Sequence, residues 1–455
     1  MSRQTRGLIA GLFSMGLLLP ISAIATNGYF SHGYGTKNKG LAGGGIALPQ
    51  DAMIAATNPA GMAFVGDRME AGVALFSPMR SYNASTTATS SSDGAACSPC
   101  TFTLGGQGGG QAIDSENEQF LIPHFAYNHL LDNQSTIGVS VYGNGGMNTE
   151  YEGGTAQYDG GGTYTSSAGT FGGGTAGVNL EQLFINASFA SKFTENGSWG
   201  VGAIYAFQRF EAKGLGPFKG YSAAPTKLTD NGEDDSSGLG FKFGFQGEVA
   251  SGITMAASYQ TKIDMDEFDK YSGLFAEGGD FDIPATLTIG AAWASSDKSV
   301  FTFDIQKIYY SDVPAIANPI APLTSQCTAG PTGGTGAGCL GGASGAGFGW
   351  QDMTIYKLGY QWNSSPDWQW RIGFSTGDQP IPSSEVLFNI LAPAVMEEHI
   401  TLGFTHNMSN TSELNFSAMY APKASISGAN AFNPGQNIEL EMSQYELEAS
   451  WGWKF

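Results

Sequence analysis

The sequence predicts an all-β protein: a transmembrane antiparallel β-barrel of about fourteen strands, spanning 67–455, closed around an N-terminal hatch at 26–66. Three observations predict it. From Arg68 to the last residue, apolar and polar side chains alternate in segments long enough to cross an outer membrane, which takes about 9–11 residues per strand. The links between these segments are alternately short and long. The chain ends on a strand whose last residue is Phe455.

The first 25 residues read as an export signal, with Arg3 and Arg6, an apolar run over 8–19, and the small-x-small site Ala23-Ile24-Ala25. The mature chain is expected to begin at Thr26. The stretch 27–66 is rich in glycine and has no sustained period of 2 or 3.6, so it is neither a strand nor a helix. A compact irregular segment ahead of a long run of strands is expected to fill the barrel that those strands close.

Fourteen segments follow, from 68–80 to 439–455. In 182–190, Leu183, Ile185, Ala187 and Phe189 share one face, and Gln182, Asn186 and Ser188 the other. In 300–309, Phe301, Phe303 and Ile305 oppose Thr302, Asp304 and Gln306. Segments 252–266 and 351–363 are read as the seventh and tenth strands. Short links such as 130–134, 194–197 and 364–366 define one rim. Long links such as 83–118, 149–178 and 313–350 define the other, which faces the cell exterior. An even strand count returns both ends of the barrel to the periplasm. In the last strand Tyr445, Leu447, Ala449, Trp451, Trp453 and Phe455 alternate with Glu446, Glu448, Ser450, Gly452 and Lys454. A charge facing lipid at mid-membrane costs about 2–4 kcal/mol, so the Glu/Lys face is expected inside. Trp362, Trp368, Trp370, Trp451 and Trp453 fall near the short turns, where an aromatic girdle is expected.

Composition agrees. The 66 glycines and 13% charged residues suit strands and loose loops rather than helical layers. Removing the signal leaves 18 basic residues against 40 acidic ones, an excess that disfavours nucleic acid as a partner. Acidic clusters at 230–235 and 264–269 lack the ligand spacing of a calcium loop, so no metal site and no cofactor is expected. The cysteines Cys97, Cys100, Cys327 and Cys339 lie in Gly/Ser/Thr-rich stretches, and export makes disulfides the expectation, with three pairings open. A Cys327–Cys339 bond would close a loop worth roughly 3 kcal/mol in the chain-entropy model.

Asn58-Pro59-Ala60, placed between the export signal and the first strand, resembles the NPA motif of the FadL-type outer-membrane transporters of long-chain fatty acids and hydrocarbons. Gly40-Leu41-Ala42-Gly43-Gly44-Gly45 and Asp51-Ala52 resemble that family's hatch, and Gly349-Trp350-Gln351-Asp352 one of its strand starts. The resemblance spans the mature chain. It implies a fourteen-stranded barrel whose hatch rearranges to release a bound apolar ligand, which leaves sideways through a kinked third strand. It also implies hydrophobic small molecules as partners, with outer-membrane lipid and lipopolysaccharide around a monomeric barrel.

Candidate residues follow from the pattern. Gly143-Asn144-Gly145-Gly146 interrupts the third strand, and glycine in a strand marks a bulge or bend. Such a bend is expected to part the wall beside the next strand. Lys242, Lys357 and Arg371 face the lumen by alternation and are candidates to hold a carboxylate. Phe184, Ile204 and Phe210 fall on inward faces, and Tyr29 and Phe30 are placed to reach the same pocket from the hatch. The expected function is uptake of hydrophobic compounds, with long-chain fatty acids first and aromatic or alkane hydrocarbons as the alternative. A general porin or an adhesion barrel is the other class. No enzyme is expected. Gly373-Phe374-Ser375-Thr376-Gly377 matches G-x-S-x-G but lies in a strand with no following helix, and no Ser and His in register at the lumen edge can be picked out.

Overall fold

The computed structural model describes residues 27–85, 102–105, 112–159 and 164–455. The expected export signal and Cys97 and Cys100 lie outside the described residues.

Fourteen strands among the described residues form one closed antiparallel barrel: β1 (Arg68–Ala84), β2 (Phe120–Leu130), β3 (Ser135–Tyr151), β4 (Ala176–Thr194), β5 (Gly197–Lys213), β6 (Asp234–Ala250), β7 (Ile253–Gln260), β8 (Thr286–Ser296), β9 (Ser299–Ile308), β10 (Met353–Asn363), β11 (Trp368–Gly377), β12 (Glu398–Ser409), β13 (Ser412–Asn430) and β14 (Asn433–Lys454). Each pairs with the next, and β14 returns to β1 from Arg68↔Lys454 to Ala84↔Ile438. Closure removes the two free ends that an open sheet would present to lipid. The outward rows carry large exposed apolar side chains such as Leu75, Phe301, Phe303, Ile400 and Leu447, while Glu446 and Glu448 are buried inside, as alternation requires.

Several boundaries differ from expectation. The seventh strand breaks after Gln260, where Lys262 pairs with Asp282 at 2.6 Å, and Asp264–Met265 then rejoin β6 as a separate short strand. The tenth starts at Met353, leaving Trp350 in a buried loop position. The last two strands run on to a tight hairpin at 431–432, since alternation continues from Ser425 through Asn430 and from Ile438 back to Asn433. Outside the barrel, Phe102–Gly105, Thr155–Asp159 and Tyr164–Ala168 form a three-stranded antiparallel sheet among the long loops. Cys327 and Cys339 are disulfide-bonded, closing one of those loops.

The segment 27–66 runs inside the barrel and is buried along most of its length. It bonds to inward side chains around the circumference: Ala42 N to Thr401 Oγ1 on β12 at 2.9 Å, Ile46 N to Asp304 on β9 at 2.9 Å, and Ala55 O from Asn186 Nδ2 on β4 at 2.9 Å. Asn58 caps a short helical turn, Pro59–Phe64. Its Oδ1 accepts from Ala60 N at 3.1 Å, while its Nδ2 donates to Ile46 O and to Gln246 Oε1 on β6. One side chain thus satisfies a turn, a neighbouring stretch of the segment and the wall, a task the short, two-ended amide of Asn suits. Gly200 on β5 and Gly244 on β6 face this turn: a Cβ at Gly200 would overlap the Pro59-Ala60 backbone, and one at Gly244 the Asn58 side-chain oxygen and the Pro59 ring.

Candidate functional site

The site is built where β3 bends. Register shifts between Gly143 and Gly145, so Asn144 is an extra residue opposite β4, a β-bulge. The strand does not end there. It continues along β4 to Tyr151↔Ala176. The wall therefore stays closed beside the next strand, contrary to expectation, and parts on the other side: β3 pairs with β2 only as far as Val141↔Phe125. The bulge redirects the β2-facing edge inward, and the N-terminal segment takes that edge. Ser31 N donates to Asn144 O and Gly146 N to Tyr29 O, both at 2.9 Å, with Phe30 bridged to Gly145. Gly145 has to be glycine, since a Cβ would overlap the Tyr29 carbonyl.

Tyr29 and Phe30 then sit in a cluster of rings. Tyr29 lies 5.5 Å from Tyr310, 6.0 Å from Trp350 and 6.2 Å from Phe281, centroid to centroid. Tyr310 OH donates to Asn27 O at 2.5 Å and accepts from Tyr29 N at 3.2 Å, fixing the start of the segment. Rings continue outward through Phe275 and Phe210, at 4.8 and 4.7 Å, to a small, nearly filled apolar pocket among the loops, lined by Phe218, Phe348 and Phe388. Phe184 meets Tyr142 at 5.7 Å beside the bulge, and Ile204 is fully buried. The expected apolar residues Tyr29, Phe30, Phe184, Ile204 and Phe210 are thus all buried in one apolar cluster. Tyr310, Trp350, Phe275 and Phe281, in loops or at strand ends, were not legible as lining residues; clustered aromatics in otherwise polar loops are the signal that carries them.

Beside Phe30 lies a small polar chamber lined by Lys242, Lys357, Gln260, Asp304 and Gln306. Lys357 Nζ donates to His32 O at 3.0 Å and Gly43 O at 3.3 Å, and Lys242 Nζ to Ala56 O. Arg371 stands apart from this chamber. Its guanidinium is taken up by Gln50 at 2.9 Å, Gln361 at 2.8 Å and Thr405 at 2.9 Å near the short-turn rim. It anchors the segment there rather than reaching the aromatic pocket.

A polar relay crosses the bulge. Tyr34 OH donates to Asn144 Oδ1 at 2.7 Å, Asn144 to Gln182 at 2.9 Å, Gln182 to Gln208 at 3.0 Å, and Gln208 to the carbonyl of Phe281 at 2.8 Å. On the opposite side a buried charge cluster clamps the segment to β13 and β14. Lys39 Nζ lies 2.8 Å from Glu446 and 2.7 Å from Glu448, Thr36 bonds Glu448 at 2.8 Å, and Lys37 meets Glu413 at 2.5 Å. Burial alone would lower the Lys39 pKa, but the two carboxylates outweigh it and hold the ammonium above its ordinary value. Burial, with Glu70 adding repulsion, pushes Asp51 up to about 7.

Ser375 and His399 stand directly opposite each other on β11 and β12, with Oγ and Nδ1 3.1 Å apart. This corrects the expectation that no Ser and His fall in register. The second ring nitrogen of His399 has no hydrogen-bond partner among the described residues, so no carboxylate orients the imidazole as a hydrolytic triad requires.

A model of the family described as outer membrane protein transport protein (OMPP1/FadL/TodX) matches residues 20–445. No curated protein matches the sequence. Among solved structures, the Pseudomonas putida toluene transporter TodX is 15% identical, with 93% of this chain and 99% of that one covered and a TM-score of 0.63. A Pseudomonas aeruginosa FadL homologue is 14% identical, covering 94% and 100%, at 0.63. The CymD monoaromatic hydrocarbon channel is 16% identical, covering 94% and 99%, at 0.57. At these identities the likeness is one of fold.

Proposed function

The chain belongs to the OMPP1/FadL/TodX family of Gram-negative outer-membrane β-barrels, channels for hydrophobic compounds, and on that premise we propose that its cargo is long-chain fatty acids and that they leave sideways between β2 and β3. One observation carries the reading: where β2 lets go of β3, residues 29–31 of the N-terminal segment fill the vacated edge, and the same residues line the aromatic pocket. A ligand that displaces Tyr29 and Phe30 from their ring contacts also withdraws the strand surrogate that closes the wall.

The energy scale makes such coupling useful. Each buried CH₂ contributes roughly 0.8 kcal/mol, so a long acyl tail gains on the order of 10 kcal/mol before binding costs. A pocket of fixed shape would retain it. The two backbone bonds at the edge of β3 are worth about 1 kcal/mol each net, well within what a tail supplies. Under this reading the segment 26–66 acts as a hatch, with Asn58-Pro59-Ala60 and the charge clamp as its fixed side and residues 27–34 as its moving side. Lys242 and Lys357, in the chamber beside Phe30, are the partners for a carboxylate head.

A second reading, aromatic hydrocarbon uptake, is favoured by the lining itself. Tyr29, Phe30, Phe281, Tyr310 and Trp350 offer rings at edge-to-face distances, and solved channels of this fold include a toluene transporter and a monoaromatic hydrocarbon channel. The filled lumen speaks against a general porin. Uptake of labelled oleate, compared with small-sugar efflux from the same liposomes, separates lipid channel from porin. Oleate uptake without sugar leakage is expected, and the reverse would overturn the reading. A binding panel of acids, alkanes and aromatics then ranks the cargo.

A further inference from the structure

The outer wall carries a concavity beside the parted strands. One outward row runs across five strands as Tyr127↔Val139↔Ala187↔Ala203↔Phe241. Its ends are aromatic and its middle is two alanines. The adjacent rows are bulkier, with Ile185 and Tyr205 on one side and Phe189 and Val201 on the other. Two small side chains framed by large ones leave a shallow dimple of about 500 Å³ open to the bilayer. Its Tyr127↔Val139 end is the next outward pair after Phe125↔Val141, where β2 and β3 separate, about 7 Å further along at the rise of a strand.

We propose that this dimple is a membrane-side docking site for the apolar cargo as it emerges between β2 and β3, an inference that rests on the lateral route proposed above. Position and shape support it together. A molecule leaving the gap on the periplasmic side meets Tyr127 and Val139 first, and the alanine floor gives a flat tail or ring a recess bounded by two aromatic faces. Apolar contact there costs no polar desolvation and holds the cargo weakly against lipid, because acyl chains compete on nearly equal terms. The site guides departure from the gap rather than retaining what departs.

The test uses the full chain in liposomes and a palmitic-acid analogue with a diazirine at the tail end. The analogue is expected to label the pocket at Tyr29 or Phe30 and the dimple around Ala187 and Ala203, with excess oleate removing both signals. Ala187→Phe with Ala203→Phe, which fill the recess on the lipid face, should reduce dimple labelling about tenfold and leave pocket labelling unchanged. If the paired variant does not assemble, labelling of the unaltered protein decides alone. Pocket labelling without dimple labelling would overturn this inference while sparing the lateral route. Equal dimple labelling by a diazirine-tailed phospholipid, insensitive to oleate, would overturn it in favour of a resident lipid chain. Absence of pocket labelling would remove the reading beneath it and this inference together.

Discussion

Replacing Lys39 by methionine tests how the N-terminal segment is held. Lys39 Nζ sits 2.8 Å from Glu446 and 2.7 Å from Glu448, and all three side chains are at most 4% exposed. Methionine keeps the length of the side chain and removes its charge, which leaves two buried carboxylates facing each other, with His124 3.4 Å from Glu448 and Thr36 still bonded to it. Removing one partner of a buried ion pair costs about 3–5 kcal/mol, chiefly because the remaining charge is stranded. The attached-to-detached ratio of the segment should therefore fall by roughly a hundredfold to a few thousandfold. Hydrogen exchange of the amides in 36–47, read in the assembled barrel, measures this directly. Protection of these amides should drop while the strand amides keep theirs. Adding Glu446→Gln and Glu448→Gln should restore most of it, since no stranded charge remains. Unchanged protection in Lys39→Met, or no recovery in the triple variant, would refute the claim that these charges fasten the segment.

Gly145→Val places a branched side chain against the Tyr29 carbonyl, so it should displace residues 29–31, weaken oleate binding about tenfold and lower uptake in a correctly assembled barrel, checked by equilibrium binding and by liposome uptake. Asn58→Ala removes bonds to Ala60, Ile46 and Gln246 from a fully buried position and should loosen the segment by about 1–3 kcal/mol, read as faster protease cleavage within 40–66. Asp51 has its folded pKa raised above the unfolded value, so the folded state binds more protons between about 4 and 7 and attachment weakens as pH rises through that window. Cleavage of the segment should increase from pH 5 to pH 7.5, and Asp51→Asn should flatten the trend.

Much of the wall was legible, and the reason is physical. One face of each strand meets lipid and the other a polar lumen, so Leu447, Trp451 and Glu448 declare their sides through alternation alone. Lys242 and Lys357 were placed inward by the same rule. The rule is silent where side chains leave the wall. Trp350 read as a strand start because nothing local marks a loop residue that packs on Tyr29, 321 positions away. The glycine run signals a bulge without saying which edge it frees, so the sequence points to the next strand while the parting lies beside β2. Ser375 and His399 are 24 residues apart, and their pairing depends on register across the 378–397 connection, which no spacing rule supplies. The charge clamp was half visible: the Glu446/Glu448 face had to point inward, but its partner Lys39 lies in a segment without periodicity.

The most direct test of the lateral route ties the segment to the strand it completes. Ser31 stands opposite Asn144 across a backbone hydrogen bond of 2.9 Å, so Ser31→Cys with Asn144→Cys can be joined by oxidation and released by a reductant, with the unaltered protein treated identically as control. If residues 29–31 are the moving closure, oxidised protein takes up no labelled oleate and regains uptake on reduction. Uptake at the unaltered rate with the tether fully formed would contradict the account.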